Sequence, residues 1–511
     1  MIKLARIFQD RMVLQREKPT RIWGESGSAQ KLSVLLNGVP LIEGAEVDGH
    51  FSLILPPQAA MTDAVLSLRG STEEDELEFK EVDFGEVWIA GGQSNMEFPL
   101  EFDSDAAAQI AGANDRHLRF YDVGEYAFDG EEEEGFKNSK NWDGWLCFEP
   151  DSARFFSAVG LYFAKRLREE LDVPFAIVGC NWGGTTASAW LDESFLEEDP
   201  GLRIYLDTYR ENADGLDLIK YRKQSAGVRR LLSSPAGERL SEHIWQGHPT
   251  FGDIVMAVPF IGKHALYMAA SGPESPNRPA GLYHNMVEKI AGYTCRGVIW
   301  YQGESDENLA SLYGKLFSAV ISCWRGAWED SLPFLFVQIA PFGNMLFETG
   351  GDRFPDIREQ QEWVSKNVPG AYMASIMDAG MKKDIHPKDK RTPGERLALL
   401  ALGKVYGRDI LCEPPEAISA ERRADPTHIE IKFANAGEGL FLKGDPLRGL
   451  ALFDGSGREV KRWTAKAEGA SVRVYTDGPV AEIRYGWTGY VDANLYNSAG
   501  LCAKPFRMQV V

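Results

Sequence analysis

Residues 1 to 85 alternate short apolar runs with turn signals. Leu32-Ser33-Val34-Leu35-Leu36 runs into Asn37-Gly38, and Phe51-Ser52-Leu53-Ile54-Leu55 follows Asp48-Gly49. Apolar runs bounded by Asn-Gly and Asp-Gly predict hairpins, and therefore a small antiparallel β domain. From residue 86 the period changes, and strand-like runs alternate with helical stretches. The strands predicted are Val87–Ala90, Phe175–Val178, Gly297–Tyr301, Phe334–Gln338 and Ala371–Met377, each nearly continuous in apolar residues. Continuous apolar strands separated by helices are the pattern of a parallel sheet buried on both faces and built from βαβ units. Helices are predicted at Val159–Leu171, at Leu309–Trp324 and after residue 392. In the last, Thr392 is read as the N-cap, Pro393 as the first helical residue and Glu395 as the partner in a capping box.

Residues 196–280 interrupt this alternation with a mixed, charged, partly helical stretch, read as an insertion flanking the site. From residue 409 strands and tight turns return, with Asp454-Gly455, Ser456-Gly457 and Asp477-Gly478 between apolar runs. The predicted organisation is therefore an N-terminal β domain (1–85), a parallel α/β domain in two parts (86–195 and 281–408) around the insertion, and a C-terminal β domain (409–511). A length of 511 residues agrees with several units, because single cores stop growing near ~250–300 residues.

Composition narrows the function. The chain is 44% hydrophobic and 25% charged, as in a folded globular protein. Its formal charge of −20 repels phosphate backbones and anionic membrane surfaces, so nucleic acid and lipid drop out as leading partners. No run approaches the ~20 apolar residues of a spanning helix. Arg6 and Asp10 interrupt the N-terminal segment where a signal peptide would be apolar, so a cytoplasmic location is expected. The six cysteines are far apart, with no Cys-x-x-Cys pair, and read as small buried hydrophobes. Glu131-Glu132-Glu133-Glu134 reads as a solvated loop. Thirteen tryptophans suit a carbohydrate site, although tryptophan is more often core than ligand platform.

Ligands of an open α/β sheet bind beyond the carboxyl ends of the strands, so reactive groups are sought there. After Ala90 comes Gly91-Gly92-Gln93-Ser94-Asn95-Met96: two glycines allow a tight turn that leaves Ser94 exposed as a nucleophile. Alone, such a serine is more often a turn residue capping a helix. After Val178 comes Gly179-Cys180-Asn181-Trp182-Gly183-Gly184-Thr185-Thr186-Ala187, a small-residue loop expected to enter a helix and to offer Gly183 or Gly184 as an oxyanion donor. After Tyr301 comes Gln302-Gly303-Glu304-Ser305-Asp306, with Gln302 as an amide donor and Glu304 able to orient a histidine or bind sugar hydroxyls. The last tip holds Asp378, then Asp384-Ile385-His386-Pro387. In an extended Asp-x-His the two side chains share a face, so Asp384 would hold Nδ1 of His386 and leave Nε2 as base. His50, His117, His243, His248, His264, His284 and His428 show no comparable local arrangement, and no His/Asp/Glu group has metal-ligand spacing. No metal and no cofactor are expected.

Taken together these four blocks resemble those of the SGNH (GDSL-like) hydrolases, and in wording the sialate O-acetylesterase-like carbohydrate esterases. The matching text is Gly92-Gln93-Ser94-Asn95-Met96-Glu97, Asn181-Trp182-Gly183-Gly184-Thr185, Trp300-Tyr301-Gln302-Gly303-Glu304-Ser305, and Asp384-Ile385-His386-Pro387 with Gly394-Glu395-Arg396-Leu397-Ala398. The opening Phe8-Gln9-Asp10-Arg11-Met12-Val13-Leu14-Gln15-Arg16 and the closing Ile483-Arg484-Tyr485-Gly486-Trp487 and Asn494-Leu495-Tyr496-Asn497 are similar to these proteins as well. The resemblance implies an SGNH-type, flavodoxin-like parallel sheet with helices on both faces. It also implies a serine esterase that removes O-acetyl groups from carbohydrates through an acyl-serine. Ser94, His386 and Asp384 would form the triad, with Ser94, Gly183, Gly184 and Gln302 as the oxyanion hole. Only Ile385 separates Asp384 from His386, where many SGNH enzymes have two residues, and related esterases use the glutamate of Gln-Gly-Glu, so Glu304 competes for the acid role. A glycoside hydrolase using Glu304 and Asp384 would leave Ser94 and His386 without work. A carbohydrate-binding protein without catalysis would not need every catalytic position filled. Arg278, Arg358 and Lys388 could favour an anionic sugar, but each is read first as a solvated surface residue. The acidic chain leans toward a neutral acetylated glycan.

Overall fold

The computed structural model describes residues 1–70, 75–131, 144–247, 272–343, 351–423 and 428–511. The chain is mixed α/β, with a central, largely parallel sheet, helices, and separate antiparallel β sheets. It divides into two compact units: Met1–Ile299 with Ser318–Phe334, and Trp300–Phe317 with Leu335–Val511.

In the first unit the hairpin predicted at Asn37-Gly38 forms between Lys31–Leu36 and Val39–Glu46, both turn residues having positive φ (51° and 79°). One strand, Glu76–Gly92, then runs through the residue 85/86 boundary. Up to Phe84 it pairs antiparallel with Met61–Arg69, and from Glu86 it pairs parallel with Phe175–Asn181. Its burial changes with its role, alternating at first and continuous from Val82 onward. Gly85 sits at the crossing point, where a Cβ would lie 2.0 Å from the Pro174 carbonyl oxygen. The next residue, Glu86, is fully buried and held by Arg296 at 2.7 and 2.9 Å and by Arg16 at 2.8 Å. Burial alone would raise its pKa, but the two guanidiniums overcome this and hold the carboxyl below the usual range.

Two further strands were not expected from the sequence. Asp115–Asp122 pairs parallel with Phe175–Asn181, and Leu146–Phe148 lies antiparallel along its other side. The first escapes a hydrophobicity reading because its polar residues are answered from within. Arg119 is fully buried, pairing with Asp83 at 2.9 Å and donating to the carbonyls of Arg11 and Glu81. The helix Ala158–Leu171 starts at Ser157, whose Oγ accepts the Gly160 N–H, and stops at a left-handed Asp172. Within the described part of 196–280 lie the helices Arg203–Asp214, Leu218–Leu232 and Pro235–Gln246. Residues 248–271, with His248 and His264, lie outside the described residues, as do Glu132, Glu133 and Glu134. Glu131 is described and is not a solvated loop residue: its carboxylate accepts the Ala127 N–H at 2.6 Å.

Phe334–Val337, whose residues from Leu335 onward lie in the second unit, and Ala371–Ala374 are neighbouring strands. The helix predicted from Leu309 begins instead as a 3₁₀ segment, Glu304–Leu312, with a break at Leu309, before Tyr313–Trp328. The helix Arg391–Leu400 starts before Thr392, and no capping box forms. Asp389 is the acceptor, taking the Thr392 N–H at 3.0 Å and its hydroxyl at 2.6 Å, while Glu395 faces Arg391. The C-terminal region packs strands of three antiparallel sheets around Ile429, Ile431, Leu452, Val474 and Ile483. All six cysteines are buried and none is joined in a disulfide. No described helix is long and apolar enough to cross a membrane.

Candidate active site

Ser94 stands where the glycine turn was expected to leave it. The strand ends at Gly91-Gly92, Gly92 has a φ of 129° that other residues avoid, and Ser94 opens a single helical turn, Ser94–Glu97. The Phe98 N–H closes that turn on the Ser94 carbonyl at 2.9 Å. Ser94 is 8% exposed, reachable yet largely removed from water.

The Asn181–Gly184 loop is stitched onto this turn. Asn181 Nδ2 donates to the Ala90 carbonyl at 2.9 Å, the Trp182 N–H to the Gly92 carbonyl at 3.1 Å, and the Gly183 N–H to Glu97 Oε2 at 2.7 Å. Gly183 packs directly on the serine, since a Cβ there would lie 3.2 Å from both Ser94 Cβ and Glu97 Oε2. Two expectations change. The loop enters only the 3₁₀ turn Ala187–Ala189, so there is no helix N-terminus to attract an anion. The Gly183 N–H is directed at the Glu97 carboxylate, an acceptor the sequence reading gave no role although it lies one turn from Ser94. Gly184 takes a φ of 74°. Asn277, 91 residues from Thr186, brackets this stretch: its Oδ1 accepts the Thr186 N–H at 2.8 Å and its Nδ2 donates to the Gly184 carbonyl at 3.3 Å. Nothing local in the sequence marks Asn277.

In the second unit Gln302 is fully buried. Its Nε2 donates to Asp306 at 2.5 Å and its Oε1 accepts from Tyr313 at 2.9 Å, while Tyr313 and Gln361 donate to its carbonyl. The amide expected at an oxyanion is therefore committed to a buried network. Gly303, at φ 147°, precedes Glu304, which is 7% exposed. Asp384 and His386 are 6% and 9% exposed and lie in a bend, not in the extended segment expected. Asp384 Oδ1 accepts the main-chain N–H of His386 at 2.9 Å, and its Oδ2 lies 2.9 Å from Lys388 Nζ. Asp378 forms a two-pronged pair with Arg396 at 2.6 and 2.7 Å; although burial opposes it, this pairing holds the Asp378 carboxyl below its usual range.

Of the three cations read as surface groups, one is fully enclosed and the other two are partly buried. Arg358 is fully buried and donates to the carbonyls of Ile339, Ala340, Gly486, Thr488 and Gly489, and burial pushes its pKa down to about 9. Lys388 is on Asp384, and Arg278 is half-buried, 3.5 Å from the Ala127 carbonyl. Two histidines have carboxylate partners that sequence spacing hid. His117 Nδ1 lies 2.8 Å from buried Asp83, and His284 lies between Glu193, at 2.6 Å, and Glu288, at 3.2 Å. With Asp63 or Asp192 these make two His/carboxylate groups among the described residues, neither of which includes a proposed catalytic residue.

A serine at the end of a parallel strand, beside a glycine loop, is an arrangement that suits a hydrolase of the carboxylic ester class. The family model for carbohydrate esterases of the sialic acid-specific acetylesterase type matches residues 250–402. The human sialate O-acetylesterase is 24% identical over 468 residues, covering 84% of this chain and 76% of that protein, and that of Pongo abelii is 25% identical over the same length. The crystal structure of a carbohydrate acetylesterase from Xanthomonas citri superposes with a TM-score of 0.76 at 28% identity, over 99% of both chains. Over residues 250–402 the chain is similar to the sialic acid-specific acetylesterases, and over most of its length to sialate O-acetylesterases and a carbohydrate acetylesterase. It is a carbohydrate O-acetylesterase, a carboxylic ester hydrolase.

Proposed function

We propose that the acetyl group is removed through an acyl-serine on Ser94. The observation that carries this reading is the position of Ser94 at the strand tip with Gly183 packed on its Cβ. His386 takes the Ser94 proton as Oγ attacks the acetyl carbonyl, and returns it to the departing sugar oxygen. A water, deprotonated by His386, then attacks the acyl-serine, releases acetate and regenerates the serine. The oxyanion is met by the Ser94 N–H and by the Gly183-Gly184 loop, the Gly183 N–H passing from Glu97 to the substrate oxygen. Gln302 fixes its strand tip through Asp306 and Tyr313 and is a weaker choice of donor. Glu304 is favoured over Asp384 as the acid partner of His386, because Asp384 spends one oxygen on the His386 main chain and the other on Lys388.

The substrate proposed is a neutral acetylated glycan. A net charge of −20 disfavours an anionic sugar, and the buried Arg358 and the paired Lys388 are not disposed to offset it. The names of the relatives point instead to O-acetylated sialic acid, so acetate release is measured on acetyl-xylan, acetyl-mannan and O-acetyl sialic acids in parallel. The expected result is release from the neutral glycans, without shortening of the chains and without any release by S94A. Activity retained in S94A overturns the serine mechanism, and a preference for the sialic acids overturns the substrate assignment.

A further inference from the structure

The insertion carries an aromatic ring to the nucleophile turn. Trp245 lies near the end of the helix Pro235–Gln246, which begins at an Ser234 N-cap and ends at a left-handed Gly247. Its ring meets Phe98 edge-on at 5.5 Å and stacks over Phe102 at 6.4 Å. Phe98 is the residue whose N–H closes the turn on the Ser94 carbonyl, so Trp245 is two contacts away from the serine. Phe98 is fully buried, whereas Phe102 and Trp245 are each only half-buried. Trp88, Trp190, Trp300 and Trp324, by contrast, are completely enclosed. The other stem of the insertion reaches the opposite loop of the same site through Asn277, which holds Gly184 and Thr186. The insertion is thus tied to both sides of Ser94.

We propose that Trp245, backed by Phe102, forms the wall of a sugar subsite and sets the preference for acetylated carbohydrate over small esters. Its ligand is the apolar C–H face of the sugar ring that bears the acetyl group. An indole offers a large rigid apolar surface at little entropic cost, and a pyranose ring presents axial C–H groups to it. The proposal rests on Ser94 being the nucleophile, and the test separates the two.

The experiment compares kcat and KM of wild type, W245A and W245F on an acetylated xylo-oligosaccharide and on p-nitrophenyl acetate, which has no sugar. The expected outcome is that W245A lowers the ratio of kcat/KM between oligosaccharide and small ester by about tenfold, mainly through KM, and that W245F restores most of it. An equal loss on both substrates, or no loss, overturns the role of Trp245 while leaving the Ser94 reading intact. A wild type that hydrolyses p-nitrophenyl acetate and no acetylated sugar overturns the sugar subsite and the carbohydrate assignment together. If W245A does not fold, F102A takes its place in the same comparison, with W245F as the conservative partner.

Discussion

Asp384 has two partners in its own loop, and this bears on how the histidine is held. A carboxylate that takes a main-chain N–H two residues ahead and a lysine four residues ahead shapes the loop. Glu304 lies at the tip of its own strand, is 7% exposed and opens the 3₁₀ segment. The prediction at this scale compares E304Q with D384N. E304Q is expected to lose at least tenfold more kcat than D384N, because losing the true partner costs His386 its tautomer and orientation. A larger loss in D384N reverses the assignment. The candidate residues themselves were largely legible: Ser94, Glu304, Asp384 and His386 stand in short local motifs. Their hydrogen-bonding directions were not. That the Gly183 N–H faces Glu97 and the Gln302 amide faces Asp306 is decided by side-chain packing between turns, which residue type and spacing do not specify.

At the scale of elements, the strands that are apolar throughout were readable and the one with polar residues was not. Gly297–Tyr301 has the same limits in sequence and structure, whereas Asp115–Asp122 was missed because Arg119 and His117 find buried partners from distant strands. The insertion shows the same limit. His284, on the π-helical turn Tyr283–Val287, reaches back to Glu193 on the helix Glu193–Glu198 and so joins the two stems of the insertion. Burial would lower the His284 pKa, but Glu193 and Glu288 outweigh it and raise the group above its ordinary 6.5. A raised pKa means that the folded state holds the proton more tightly than the unfolded chain. The stability it adds is therefore complete below pH 6.5 and is lost as pH rises through the folded pKa. The difference in Tm between wild type and H284Q is expected to shrink as pH rises from 6 to 9. A difference independent of pH contradicts this account of the clasp.

At the scale of the molecule, one strand and one side chain reach across boundaries drawn from the sequence. Glu76–Gly92 serves as an N-terminal antiparallel strand and a parallel strand in turn, so no linker separates those roles. In the second unit Arg358, on the helix Phe354–Asn367, donates to carbonyls of Ile339 and Ala340 and to those of Gly486, Thr488 and Gly489 near the chain's end. R358A would leave buried carbonyls without donors, and is expected to destabilise the protein by about 3–5 kcal/mol in denaturant unfolding. A change under about 1 kcal/mol would show that those carbonyls find other donors.

The central claim, that acetyl transfer passes through Ser94, is tested most directly by trapping the intermediate. Enzyme quenched in acid during turnover of p-nitrophenyl acetate is digested, and the peptide containing Ser94 is weighed and fragmented. The account predicts one acetyl group on Ser94, absent from S94A and formed far more slowly in H386A, where Ser94 lacks the base that takes its proton. Steady turnover with Ser94 unmodified throughout, or acetate release by folded S94A, would contradict it.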